Sequence, residues 1–148
     1  MNNIKTLTAN TLLGVGAAGV LATGADHLYE YAVDGFSAVP TIGTLFLLNF
    51  IGATIIGLAM LIPIGRIAPP IAELTRDVLD LSGIGLAASS LIALWISETS
   101  SLFGFSDFGF RPVIMAAIIA ESVAVVALSA HLALRHVRMT VRQPSLSA

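Results

Sequence analysis

The chain has 148 residues, of which 56% are hydrophobic and 11% charged, and its mean hydropathy is +0.92. Soluble domains carry roughly 25% charged residues, so the composition excludes an ordinary water-soluble domain and indicates one compact membrane domain over residues 1–148. The net charge of −2 excludes a basic surface for nucleic acid, and the absence of cysteine excludes disulfides, thiolate metal sites and cysteine nucleophiles.

Four apolar segments follow one another along the chain, at about 7–25, 41–65, 78–97 and 112–134. A helix rises about 1.5 Å per residue, so each segment is long enough to cross roughly 30 Å of hydrocarbon. Inside lipid the backbone must satisfy its own hydrogen bonds, which favours helices over open strands. Because short connections make consecutive helices antiparallel neighbours, the predicted fold is all-α, a transmembrane up-down four-helix bundle.

The first apolar segment permits a second interpretation. Lys5, the apolar run 12–22 and the small residues 23–25 also fit a secretory signal peptide. Cleavage there would leave three helices and an external N-terminus. We expect the segment to be retained as the first of four helices.

The basic residues are divided unequally between the two ends of the predicted bundle. Six of the seven lie at one end (Lys5, Arg66, Arg76, Arg135, Arg138 and Arg142), and only Arg111 lies at the other. The positive-inside rule makes the end rich in basic residues cytoplasmic. The predicted location is therefore the plasma membrane, in contact with the lipid bilayer and with both termini in the cytoplasm.

The connection between the second and third segments contains Pro69 and Pro70, which interrupt a helix. We expect a short amphipathic piece over 71–79 after this break. The charged residues of this region are predicted to form a network in a cytoplasmic loop: Glu73, Arg76, Asp77 and Asp80.

Small residues recur at four-residue spacing in three of the segments, which predicts close contact between helices. The sets are Gly14, Ala18 and Ala22; Gly85, Ser89 and Ala93; and Ala116, Ala120 and Ala124. This pattern concerns packing and says nothing about a ligand.

All ten aromatic residues lie in the two outer loops, beside them, or in the outer half of the second segment. They are Tyr29, Tyr31, Phe36, Phe46, Phe50, Trp95, Phe103, Phe105, Phe108 and Phe110. One interpretation is an interfacial belt, in which amphipathic rings sit at the level of the headgroups. The other is an outer pocket for a flat apolar ligand such as a quinone, porphyrin or carotenoid, or a docking face for a partner subunit.

Glu121 lies nine residues into the fourth segment, at a depth of about 13 Å, and Asn49 lies at a similar depth in the second. A carboxylate there is costly if charged, so we expect it to be neutral, paired or lined by water. The Asn49 amide offers a donor and an acceptor to a protonated Glu121. The pair is either a hydrogen-bonded clamp between helices or a functional group, such as a proton relay or the floor of an outer pocket.

His27 lies at the outer end of the first segment, one helical turn before Glu30. The two side chains either contribute to a metal or proton site or form a solvated helix end. No third ligand has suitable spacing, so no metal site is predicted. His131 lies near the opposite membrane face, which excludes a haem ligated by His27 and His131.

Several short pieces of the chain are distinctive: His27 with the aromatics that follow it, 40–43 running into 45–49, 102–105, and Glu121. In these pieces the chain resembles uncharacterised four-helix integral membrane proteins of actinobacteria. The resemblance implies a membrane location and a four-helix fold, and it adds no reaction. It also implies that His27, Asn49, Phe105 and Glu121 belong to one feature of the outer half.

No catalytic constellation is evident, so we lean against an enzyme. The function first predicted is an accessory or structural subunit docked to a larger membrane assembly. An alternative is a protein that binds a quinone- or haem-like ligand through His27, Asn49, Glu121, Phe46, Phe50 and Phe105, with the cofactor itself unidentified. A weaker alternative is a proton-coupled transporter or channel, which would be a homo-oligomer because four helices enclose little lumen.

Overall fold

The computed structural model describes residues 2–106 and 108–142, with side chains described for residues 4, 6–106 and 108–137. The helices are α1 (Asn2–Ala32), α2 (Ile42–Leu61), the single turn α3 (Ile64–Ile67), α4 (Ala72–Thr99) and α5 (Pro112–Arg142). Short 3₁₀ turns occupy Phe36–Ala38 and Pro69–Ile71. The predicted positions of the Lys5, Arg138 and Arg142 side chains lie outside the described part.

Four of the helices are long and apolar enough to cross a membrane, judged by length and composition: Thr6–Ala32, Ile42–Leu61, Pro69–Thr99 and Pro112–Val137. The described residues contain no β-strand, only an isolated bridge between Leu102 and Phe105. The predictions of an all-α chain and of four long apolar helices are therefore confirmed.

The ends of the first two long helices differ from the prediction. Helix α1 continues seven residues beyond Ala25, because the next helix breaker is Gly35, whose φ of 82° is the left-handed conformation that glycine favours. Helix α2 ends at Leu61 rather than at residue 65. Ile62 adopts extended angles (φ −70°, ψ 131°) because it precedes Pro63, which disfavours the helical conformation at that position.

The predicted amphipathic piece 71–79 is not a separate element. It forms the first turns of α4, which runs without a break from Ala72 to Thr99. Pro69 and Pro70 lie in the turn just before this helix, where a missing N–H is tolerated. The prediction that these charged residues lie in a loop is therefore wrong. Glu73, Asp77 and Asp80 belong to helix α4 and recur on one face of it.

Helix α1 packs along both α2 and α5, and α4 packs against α5 and, less extensively, against α2. In the described residues the backbones of α2 and α5 do not approach each other closely, so these helices lie on opposite sides of the group and meet only through core side chains such as Met60 and Leu128. The core is built from Val20, Met60 and Leu128 with four buried alanines, Ala17, Ala53, Ala87 and Ala124.

The small residues that allow close packing on α1 are not the predicted ones. Gly14, Ala18 and Ala22 are exposed, whereas Gly19 is buried against α5. A Cβ atom on Gly19 would lie 3.0 Å from the Ala120 carbonyl oxygen, so a larger residue would force the backbones of α1 and α5 slightly apart. Spacing by four selects a face of a helix, but it does not say which face meets a neighbour.

Candidate functional site

The two ends of the group of helices differ in composition, and we name them accordingly. The aromatic end is formed by loops 33–41 and 100–111 and the helix termini they join. The basic end is formed by segment 62–71 with the start of α4 and the C-terminal turns of α5. A cavity of about 80 Å³ lies at the aromatic end, walled by the long helices and by both loops.

His27 of α1 lies on the wall of this cavity and is buried. Its Nδ1 lies 2.9 Å from the Thr23 carbonyl oxygen, and its Nε2 lies 3.1 Å from the Ser90 Oγ of α4. Because a carbonyl oxygen only accepts, the neutral ring carries its proton on Nδ1 and donates it to Thr23. Nε2 is then the acceptor for the Ser90 hydroxyl, so both ring nitrogens are held in place.

Three phenyl rings extend from His27 across the cavity. The centroid of Phe46, on α2, lies 5.0 Å from that of His27 at an interplanar angle of 77°. Phe36 joins Phe46 at 5.2 Å and Phe105 at 5.4 Å. These separations are those of favourable edge-to-face and tilted ring pairs. Phe36 was not among the predicted site residues, although it belongs to the aromatic set seen in the sequence.

Glu121 of α5 is fully buried beneath the cavity, next to Ser90. The Ser90 hydroxyl is near enough to interact with the carboxyl group, but neither carboxyl oxygen makes a hydrogen bond of normal geometry. The predicted hydrogen bond from Asn49 is therefore wrong, and the buried Asn49 Oδ1 also lacks a partner. The two residues share a depth, but the backbones of their helices, α2 and α5, stay well apart.

The six residues predicted for a ligand site occupy three different positions. His27, Phe46 and Phe105 line the cavity, and Glu121 lies just below it. Asn49 and Phe50 are not on the cavity wall, and the Phe50 backbone lies against Gly24 of α1. The cavity therefore unites half of the predicted set with residues from the two loops.

Charged residues close the rim of the cavity. Arg111 Nη1 donates to Asp34 Oδ2 at 3.0 Å, and Arg111 Nη2 donates to Glu30 Oε1 at 3.4 Å. The backbone N–H of Gly109 donates to Glu98 Oε2 at 2.8 Å. These bonds attach loop 100–111 to α1 and α4. Glu30 is buried, so the alternative of a solvated helix end is wrong.

A second buried polar cluster lies at the basic end, and the sequence analysis missed it. The Nδ1 atom of His131 donates to Asp80 Oδ2 at 2.8 Å, and both side chains are buried. Arg135, one turn after His131, pairs with Asp77 at 2.9 Å and also with Glu73. The sequence contains a pattern that could have predicted this cluster, because the acidic residues of α4 and the basic residues of α5 each recur at helical spacing.

The apolar core separates the two polar clusters. Ser90 and Glu121 are each ten residues from their counterparts Asp80 and His131, about 15 Å along a helix. Val20, Met60 and Leu128 fill the interval, and no hydrogen-bonded chain in the described residues crosses it. Among those residues no group of three or more histidine, aspartate or glutamate side chains could hold a metal ion.

Comparisons with protein-family models, curated proteins and solved structures gave no match. The resemblance to four-helix membrane proteins of actinobacteria stays a prediction.

Proposed function

We propose that this chain is an integral membrane protein that binds a small molecule in the cavity at its aromatic end. Four long apolar helices support the membrane setting. Large side chains such as Ile55, Ile92 and Val126 are exposed along them, as expected for surfaces that face lipid.

The proposed arrangement is an up-down bundle with both termini in the cytoplasm. Contacts between neighbouring helices support it, because Gly24 lies against Ala53 while Gly57 lies against Leu21, in the order expected of antiparallel helices. The excess of basic residues at the basic end supports the orientation. In this arrangement the cavity opens toward the outer membrane surface.

The observation that carries the proposal is a cavity whose wall is already ordered. Two hydrogen bonds fix the His27 ring, and the ring pairs fix Phe46, Phe36 and Phe105 around it. Ligand sites are typically apolar and aromatic clefts with a few placed polar groups, largely formed before binding. The wall of this cavity has that composition.

The size of the cavity restricts the ligand. Its volume of about 80 Å³ is well below the roughly 300–1,000 Å³ of pockets for drug-sized ligands. A quinone or haem does not fit this space as it stands, and iron ligation by His27 would also displace Ser90 from Nε2. We therefore propose a ligand of a few heavy atoms.

The test is purification in a gentle detergent, with absorbance and native mass spectrometry recorded on the same peak. We expect the wild-type protein to carry a small-molecule mass that is lost on His27→Ala. The control is His136→Ala, an exposed histidine at the basic end. A wild-type peak without a small molecule, or equal retention by both variants, contradicts the proposal.

A second candidate is the accessory subunit docked to a larger assembly, and the loop 100–111 favours it. Phe103 and Phe108 are each 70% exposed and Phe110 is 52% exposed, outside the four apolar spans. Exposed clusters of large apolar side chains often mark docking surfaces. We expect a subunit present at fixed ratio in native membranes to be lost when Phe103 and Phe108 are replaced by serine. An unchanged ratio contradicts this role.

We do not extend the proposal to proton transport. The apolar core around Met60 and Leu128 separates the two polar clusters. A relay through Glu121 would need a polar route across that interval.

A further inference from the structure

We infer that the ligand of the aromatic-end cavity is a small organic cation, held by carboxylates and phenyl rings; this inference rests on the proposed binding function. The cavity wall contains three carboxyl groups, from Asp26, Glu30 and Glu98. It contains three phenyl rings and, in the described part of the chain, no lysine or arginine. Acidic groups and aromatic faces together are the chemistry that recognises ammonium ions.

Asp26 is the carboxyl group that remains available to a ligand. Glu30 is engaged by Arg111, and Glu98 accepts a hydrogen bond from the Gly109 N–H. Asp26 is half-buried on the cavity wall and forms no hydrogen bond or ion pair with the described residues. Its acidic neighbour Asp34 is paired with Arg111 at 3.0 Å, so that guanidinium is already engaged. A cation in the cavity would give Asp26 the partner that it lacks among the described residues.

Glu121 is the second and independent observation. Its side chain is fully buried, both carboxyl oxygens lack a hydrogen bond, and it lies next to Ser90 of the cavity wall. Buried polar groups without partners are rare and costly in folded proteins. An ammonium group in the cavity would bring a positive charge close to this buried carboxyl group, with Ser90 between them.

The rim of the cavity already holds a cation in the proposed manner. The Arg111 guanidinium pairs with Glu30 and Asp34, and its central carbon lies 6.0 Å from the centroid of the Phe36 ring. This is the outer range of a cation–π contact. Arg111 is the one basic residue predicted for this end of the bundle. The same ring therefore faces both the rim cation and the cavity.

The experiment uses the full chain in lipid nanodiscs and two probes of similar shape. Tetramethylammonium is the cation, and tert-butanol is its neutral counterpart. Binding is measured by saturation-transfer NMR and calorimetry at constant ionic strength set with NaCl. We expect saturable binding of tetramethylammonium and at least tenfold weaker binding of tert-butanol.

Two variants locate the bound cation. Asp26→Asn is expected to weaken tetramethylammonium binding at least tenfold, whereas Glu73→Gln, an exposed acid at the basic end, leaves it unchanged. If Asp26→Asn does not fold, Phe36→Leu replaces it, because leucine keeps the apolar surface but lacks the ring face. We expect Phe36→Leu to weaken the cation and to leave tert-butanol unchanged.

The possible results distinguish failure of the cation inference from failure of the proposed binding function. Equal affinity for the two probes, both lost on Phe46→Ala, overturns the cation inference and leaves the proposed binding function standing. The cation inference is also overturned if Glu73→Gln weakens tetramethylammonium binding as much as Asp26→Asn does, because the cation is then not in the cavity. No binding of either probe by folded protein overturns the inference, and native mass spectrometry then decides the binding function separately.

Discussion

The Ser90 hydroxyl of α4 lies 3.1 Å from the Nε2 atom of His27 on α1. The backbones of these two helices approach each other at few other points, because α1 and α4 each pack mainly against α2 and α5. One hydrogen bond therefore connects α1 to α4 at the level of the cavity floor. It also orients the imidazole ring that forms part of the cavity wall.

Replacing Ser90 with alanine should destabilise the protein, because it leaves the buried Nε2 atom of His27 without a partner. The expected loss is about 1–3 kcal/mol in the free energy of unfolding. Ser89→Ala is the control, since Ser89 is exposed and bonds only to a carbonyl of its own helix. Unfolding in mixed micelles measures both, and equal losses would show that the bond to His27 contributes nothing.

Replacing His131 with alanine should be among the most damaging single changes in the chain. It removes the hydrogen bond to the buried Asp80 carboxyl group, which keeps only the longer contact with Arg135 at 3.7 Å, and losing a hydrogen bond to a buried charged group costs about 1–3 kcal/mol. His136→Ala removes an exposed histidine five residues later and should change stability by less than about 0.5 kcal/mol. Similar melting temperatures for the two variants would argue against a buried pair.

Replacing Gly19 with alanine should weaken the packing of α1 on α5. The new Cβ atom would meet the Ala120 carbonyl oxygen at 3.0 Å, and overpacking of this kind costs about 1–3 kcal/mol. Gly14→Ala meets no atom within 4 Å and should be neutral or stabilising by up to about 1 kcal/mol, since alanine favours helix. Thermal unfolding of both variants checks the prediction, and the reverse order would place Gly14 at the interface.

Replacing Asn49 with leucine should be neutral or stabilising, because its buried Oδ1 atom has no hydrogen-bond partner. A double-mutant cycle with Glu121→Gln should be additive within about 0.5 kcal/mol, as for residues that do not touch. A coupling energy of about 1 kcal/mol or more would instead support the predicted hydrogen bond between these two residues. The cycle is read from the free energy of unfolding of the four proteins.

The orientation in the membrane can be tested directly because the chain contains no cysteine. Ser37→Cys places one exposed thiol at the aromatic end, and Gly65→Cys places one at the basic end. We expect an impermeant maleimide to label Ser37→Cys in intact cells and Gly65→Cys only after permeabilisation. The opposite labelling pattern would invert the topology.

Sequence reasoning reached part of the candidate site. His27, Phe46 and Phe105 were singled out because polar and aromatic residues gather at one end of the predicted bundle, and all three line the cavity. Phe36 was not selected, because its position depends on the turn 36–38 that folds loop 33–41 over α2. Nothing local in the sequence places that turn.

At the basic end, sequence reasoning did not predict that Asp80 is buried. Asp80 was assigned to a loop network because it follows a proline pair and other charged residues. Its burial depends on α4 starting at Ala72 and on His131 of α5 reaching the same level. The second condition concerns another helix and cannot be read from the charges of one segment.

The amino-acid order alone accounts for four long apolar helices, for the stop at Pro63 and for the depth of Glu121. Hydropathy, proline geometry and a rise of about 1.5 Å per residue are local properties, and they act before any helix meets another. The direction in which each side chain points within the bundle was decided only by packing. Asn49 and Glu121 share a depth yet remain apart, because small residues such as Gly19 bring α1 between α2 and α5.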